Sequence, residues 1–276
     1  HLAEIDGWIV RSGTQVTAEA LAQCSKLKAI CRAGAGTDNV DLVASASKGV
    51  VVMNTPGTNA RAAAELTIAL MFAAARNIPF AHHRMAEGGW DRSSFVGNEL
   101  FQKTVGVVGV GRVGRIVAQV AGAIGMRVIG YDPGLNDAQA AEIGVELGSL
   151  DDMFKQSDFL ALHTPLTPET KGLIGRDSLA QCKKGVRIIN CSRGGVVDEE
   201  ALLEALEGDQ IACVALDVFS EEPLPADSPL RNHPKIITTP HLGASTREAQ
   251  IAVGTQAARQ MRDVLIDGNA ANTVSA

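Results

Sequence analysis

The chain has 276 residues, 46% of them hydrophobic, and a net charge of −6, with its 25 Lys and Arg scattered rather than clustered. That length suits two lobes of unequal size and the apolar content supports a sizeable core, while the missing basic patch argues against nucleic acid as a partner. No apolar run reaches the roughly 20 residues of a membrane span, and the five cysteines (24, 31, 182, 191 and 213) form no CxxC pair, so no membrane anchor, disulfide framework or metal site is expected.

In chain order, "GWIV" (7–10) and "LKAIC" (27–31) read as strands, with a helix over 17–24 between them. "VVVMN" (50–54) is a third strand, and Val-rich runs of this kind suit a parallel sheet. A long helix follows, with Asn59 as its N-cap, a buried apolar run over 64–75 and Arg76 in its last turn. Residues 82–100 lose periodicity, carry two adjacent glycines and read as a connector or an arm embracing a partner subunit through Trp90 and Phe95. Further strands are expected at 105–110, 127–132, 158–163, 186–190, 211–218 and 235–239, with helices at 112–124, 178–183 and 198–207 and a final helix over 246–266. Such alternation implies an α/β fold built on a doubly wound, Rossmann-like parallel sheet. The lobes divide as 1–57, a larger domain 58–244, and a C-terminal helix 245–276 returning to the first. The chain starts at His1 without a signal-peptide pattern and reads as trimmed at its N-terminus.

"GVGRVG" places Gly109, Gly111 and Gly114 between a strand and a helix. In that order Gly109 permits the tight turn, Gly111 lets backbone approach a pyrophosphate, and Gly114 lets helix and strand pack closely. The helix N-terminus presents free N–H groups to the phosphates. The next strand ends at Asp132, 132 − 114 = 18 residues beyond the last glycine. An acid about 20 residues on binds the adenosine ribose hydroxyls and repels a 2′-phosphate, which favours NAD over NADP. The alternative is that Asp132 merely caps its strand before Pro133.

Arg193, Glu222 and His241 each follow a separate parallel strand, and carboxyl ends of parallel strands share one edge of the sheet. A histidine suits proton transfer near neutral pH, a carboxylate beside it raises its pKa, and arginine's planar fork grips a carboxylate in two places. Together they describe redox chemistry between a 2-hydroxy and a 2-keto acid. Glu221 competes with Glu222, and His163, also at a strand end, competes with His241.

The segments "RAGAGTDNVDL", "GVGRVG", "YDP", "INCSRGGVVDEEAL", "ALDVFSEEPL" and "PHLGAST" resemble the D-isomer-specific 2-hydroxyacid dehydrogenase family from about residue 7 to residue 270. The resemblance implies a flavodoxin-like substrate lobe before the NAD lobe, and NAD-dependent oxidation of 3-phosphoglycerate, a step of serine biosynthesis. It implies His241 as acid/base, Glu222 as its partner and Arg193 on the substrate carboxylate. NAD contacts are implied for Arg112, Val113, Asp132, Thr164, Cys191, Ser192, Arg193, Asp217, Leu242, Gly243 and Ala244, and substrate contacts for Arg11, Arg32 and Asn59. A homodimer or tetramer in the cytoplasm is implied as well. Ala35 stands where some members carry threonine, and the family's strand–helix unit upstream of Gly7 is missing from this sequence. A glyoxylate or hydroxypyruvate reductase of the same family and an NAD-sensing binding protein resembling transcriptional corepressors are the alternative readings.

Overall fold

The structure, a computed structural model, describes residues 1–275. It falls into two compact units, residues 1–62 with 244–276 and residues 63–243.

In the first unit, β1 (Gly7–Val10), α1 (Ala18–Ala22), β2 (Ala29–Arg32), α2 (Leu42–Ser47) and β3 (Val51–Asn54) follow one another, and the strands pair in parallel in the order β1-β2-β3. The helices are short and depend on their caps: Thr17 accepts from Ala20 N–H at 3.3 Å and Asp41 from Ala44 N–H at 2.8 Å. Val10, Ile30 and Val52 point to one sheet face, where they pack with Val16, Leu21 and Val40. Ala29, Cys31 and Met53 point to the other.

The second unit opens with α3 (Ala60–Arg76) and α4 (Ile78–Ala86). Residues 82–86 are thus helical, contrary to the aperiodic reading of 82–100. Pro79 sits in the first turn of α4, and the helix buries no residue. A helix with no buried face has no apolar stripe to betray its period. The chain continues through β4 (Thr104–Val108), α5 (Arg112–Ala123), β5 (Arg127–Tyr131), α6 (Asp137–Glu142), β6 (Glu146–Leu147), α7 (Leu150–Gln156), β7 (Phe159–Leu162), α8 (Arg176–Gln181), β8 (Val186–Asn190), α9 (Glu199–Glu207), β9 (Ile211–Leu216) and β10 (Ile236–Thr238). Seven parallel strands lie in the order β10-β9-β8-β7-β4-β5-β6, the doubly wound arrangement expected from the alternation. The order reverses between β4 and β7, the switch point where such sheets open a crevice at their carboxyl edge. Phe159 and Ala161 of β7 face one core, with α3 and α5, and Leu160 and Leu162 face the other. The central strands are therefore apolar on both faces, as buried parallel strands must be.

The chain then returns to the first unit as α10 (Arg247–Asp267), capped by Thr246 accepting from Ala249 N–H at 3.1 Å. Val253, Ala257 and Met261 cover the Ala29–Met53 face of the small sheet. A Cβ on Gly7 would fall 2.4 Å from Met261 Sδ, so the glycine lets α10 lie close. Beyond the helix, Val274 N–H donates to Val52 O at 2.8 Å and Thr273 pairs antiparallel with Met53 along β3. Among the described residues no helix is long and apolar enough to cross a membrane.

Candidate active site

The glycine turn after β4 is built for close backbone approach. Gly109 has φ +87°, and a Cβ there would fall 2.6 Å from His163 O and 3.0 Å from Thr164 N, so the turn runs directly over the end of β7. A Cβ on Gly114 would fall 2.0 Å from Gly109 O, which locks the first turn of α5 against the loop. Gly111 differs: nothing lies within 4 Å of its missing Cβ, and as N-cap it offers no side chain to the first N–H groups of α5. Arg112 and Val113 begin the helix there, with no side-chain cap on its first N–H groups. At the end of β5, Asp132 accepts from Val110 N–H at 2.8 Å and from Gly134 N–H at 2.9 Å, which pins its carboxylate beside the turn. Open space, free N–H groups and a fixed acid fit a dinucleotide.

The second cluster lies beyond β8, β9 and β10, which are neighbours in the sheet. Asn190, the last residue of β8, is buried and organises Cys191–Arg193. Its Oδ1 accepts from Ser192 N–H at 3.0 Å and from the Ser192 hydroxyl at 2.7 Å, while its Nδ2 donates to Arg193 O at 2.9 Å. Arg193 Nη1 donates back to Ser192 O at 2.7 Å. A Cβ on Gly194 would fall 1.7 Å from Phe219 O, so only glycine lets this turn press against the loop that carries Glu222.

That loop is itself held. Ser220 N–H donates to Glu199 Oε1 in α9 at 2.7 Å, and Phe219 N–H donates to Glu222 Oε1 at 3.1 Å. The other Glu222 oxygen, Oε2, lies 2.7 Å from His241 Nδ1. A carboxylate there accepts a hydrogen bond from Nδ1–H, which fixes that tautomer and leaves Nε2 as the working nitrogen. The hydrogen bond from Glu222 raises the pKa of His241, and the charges of Glu222 and Asp217 add to it, against burial and Arg193. Burial pushes the Glu222 carboxyl up, but the bonds from His241 and Phe219 N–H outweigh it, and the carboxyl sits below its ordinary value. Glu221 is exposed and takes no part in this pair. Both ring nitrogens of His163 are shut off from solvent without a hydrogen-bond partner, and burial lowers its pKa to about 4. Geometry thus sets the two histidines apart: His241 meets a carboxylate and His163 meets no partner.

His241 has φ +52°, a left-handed conformation that a non-glycine residue adopts at a cost of about 1 kcal/mol or more. Asp217, fully buried after β9, holds it there. Its backbone carbonyl accepts from His241 N–H at 2.9 Å, Oδ1 accepts from Leu242 N–H at 2.7 Å and the Thr239 hydroxyl at 2.5 Å, and Oδ2 accepts from Gly243 N–H at 2.8 Å. Every oxygen of Asp217 thus accepts from the 239–243 turn that follows β10. Cys191 is half-buried beside Thr67, and burial pushes its thiol up to about 12. Asn190, Gly194 and Glu199 were not singled out in the sequence. The pattern N-x-S after a strand is a readable turn signal for the first, but the other two matter only through partners far along the chain.

In the first unit, Arg11 follows β1, Arg32 ends β2 and Asn59 lies beyond β3, so all three stand at the carboxyl edge of the small sheet. Arg11 is exposed and the other two are half-buried. A Cβ on Gly34 would fall 1.5 Å from Arg32 Nη1, so the guanidinium occupies the space that a side chain there would need. Ala35 is exposed, and its carbonyl accepts from Asn54 Nδ2 at 2.6 Å. Thr164 stands after β7, and Ala244 begins the segment returning to the first unit.

Residues 68–243 match the family model "D-isomer specific 2-hydroxyacid dehydrogenase, NAD binding domain". The chain belongs to this family. Its cofactor domain is accordingly an NAD-binding domain, in keeping with the turn and acid described above. The chain is 50% identical over 265 residues to D-3-phosphoglycerate dehydrogenase of Rattus norvegicus, covering 96% of this chain and 50% of the relative. It is 51% identical over 259 residues to the D-3-phosphoglycerate dehydrogenase of Mycobacterium tuberculosis, covering 94% and 49%. The chain thus spans about half the length of the curated relatives it matches. Among solved structures, the NAD-dependent formate dehydrogenase from Staphylococcus aureus in complex with NAD superposes with a TM-score of 0.90 at 30% identity, over all of this chain and 84% of that one.

Proposed function

We propose that this dehydrogenase oxidises D-3-phosphoglycerate to 3-phosphohydroxypyruvate with NAD, the first step of phosphorylated serine synthesis, in the cytoplasm. The observation that carries the reading is the identity of about half the residues, over nearly the whole chain, with D-3-phosphoglycerate dehydrogenases. On this reading Arg193 grips the substrate carboxylate and polarises the neighbouring oxygen at C2. His241 Nε2 takes the C2 hydroxyl proton, and Glu222, bonded to Nδ1, orients the ring and stabilises the imidazolium that results. NAD, when bound, would supply the acceptor for the hydride at C2. Arg11, Arg32 and Asn59 meet the anionic substrate, and Gly109–Gly114, Asp132, Thr164, Cys191, Ser192 and Leu242–Ala244 meet the cofactor. Asp217 serves the cofactor indirectly, through the backbone of the 239–243 turn.

A spectrophotometric panel tests this. NADH formation from D-3-phosphoglycerate is the expected result. NADH consumption with glyoxylate or hydroxypyruvate, and no reaction of the phosphorylated acid, replaces it with the reductase reading. Tight NADH binding without turnover of any of them replaces it with a sensing role.

We further propose a homodimer formed through α4 and the segment after it. Ile78, Met85, Trp90 and Val96 are all more than half exposed there, large apolar side chains concentrated in one stretch of chain. Analytical ultracentrifugation at micromolar concentration should give the dimer mass, and a monomer ends the proposal.

A further inference from the structure

We propose that Asn39 is the positioning residue for Arg11, setting the affinity for the anionic substrate without touching it; this rests on the reading of Arg11 as a substrate-binding residue. Arg11 begins a tight turn after β1, closed by Thr14 N–H donating to Arg11 O at 3.1 Å. The turn has no packing of its own: Arg11, Ser12, Gly13 and Thr14 are all exposed, and nothing lies within 4 Å of a Cβ built on Gly13. It is held from below. Asn39 is buried, and its Nδ2 donates one proton to Arg11 O at 3.0 Å and the other to Thr14 O at 2.6 Å, the two carbonyls that bracket the turn. The backbone of Asn39 is fixed in the same place, because its carbonyl accepts from Val16 N–H at 2.8 Å and Asp41 N–H donates to Val16 O at 2.9 Å. Val16 and Val40 form a parallel bridge alongside.

The chemistry selects asparagine. One atom must give two protons to two carbonyls from a short side chain: aspartate has none to give and serine has one. With both carbonyls tied, the Cα of Arg11 is set before substrate arrives, and less conformational freedom is lost when the guanidinium closes on an anion. An interaction of this kind is made equally in ground and transition states, so its loss appears in KM and not in kcat.

The experiment is a double-mutant cycle on the full chain, with D-3-phosphoglycerate as the varied substrate and Asn39→Ser, Asn39→Asp, Arg11→Gln and the double variants compared. Asn39→Ser is expected to raise KM about five- to tenfold, the scale of one or two lost buried hydrogen bonds, with kcat and NADH affinity unchanged. In the Arg11→Gln background the same change should alter KM less than twofold, because the residue acted through Arg11. Asn39→Asp carries the same test if the serine variant does not fold, and circular dichroism with NADH titration reports folding in each case. Equal KM factors in both backgrounds overturn the proposal, as does a loss confined to kcat. If Arg11→Gln alone leaves KM unchanged, the substrate role of Arg11 fails and the proposal falls with it. If Arg11→Gln raises KM and the Asn39 effect is additive, only the positioning role fails.

Discussion

Replacing His241 with alanine is expected to lower turnover roughly a hundred- to ten-thousand-fold, the range that a positioned general acid–base contributes, while NADH affinity stays within a few-fold of the parent. The expectation follows from the 2.7 Å contact of Nδ1 with Glu222, which leaves one ring nitrogen to move the proton. The pH dependence has a definite sign. His241 titrates above its ordinary value because Glu222 bonds its Nδ1; with His241 in the proposed role, oxidation needs the neutral ring and is expected to rise with pH through that raised pKa. Reduction of the keto acid needs the imidazolium and falls over the same interval. Glu222→Gln removes the charge and should move both limbs to lower pH. Stopped-flow and pH-rate measurements in the two directions check this. Substantial residual turnover in His241→Ala moves the proton-transfer role to another group.

The second large effect is expected at Asp217. Asp217→Ala deprives Leu242 N–H, Gly243 N–H and the Thr239 hydroxyl of their acceptor. Leaving a buried donor unsatisfied costs about 1–3 kcal/mol; with the Gly243 bond buried and the other two part-buried, a loss of roughly 2–4 kcal/mol in unfolding free energy is expected as the turn relaxes in part. The activity loss should exceed what the stability loss explains, because the turn also holds His241 at φ +52°. Chemical denaturation together with a pH-rate profile checks both. If the residue acts by contacting the cofactor, NADH affinity falls and the pH profile stays put. If it holds the turn, the profile of the surviving activity broadens or shifts together with any fall in NADH affinity, because the same turn carries His241 and the backbone of Leu242 and Gly243.

Much of this protein is legible in its residues. The strand–glycine–helix–strand–acid order from Thr104 to Asp132 is local, each step within a few turns of chain, and glycine spacing carries its own steric reason. Arg193, Glu222 and His241 are conspicuous for a different reason: polar residues that follow apolar strands at their carboxyl ends stand out against a buried sheet. Asp217 is an instructive middle case. Its acid in "VALDVF" is conspicuous, and family resemblance assigns it to the cofactor, yet its oxygens are taken up by the 239–243 turn of the next strand. The helical state of 82–86 escaped because α4 buries nothing, and β6 escaped because two residues carry no period.

Sequence alone determined the parallel α/β architecture, the dinucleotide turn and the residue types available for proton transfer, because these depend on local periodicity and on spacing along the chain. Tertiary structure alone shows that Glu222, and not Glu221, meets His241 and that the ring of His163 meets no partner, since these contacts join strands far apart in sequence. It also decided why Gly194 must be glycine, for the obstacle to a side chain there is the backbone of Phe219, twenty-five residues away (219 − 194 = 25). Spacing in sequence says what a residue is able to do; distance in space says which of the candidates is placed to do it.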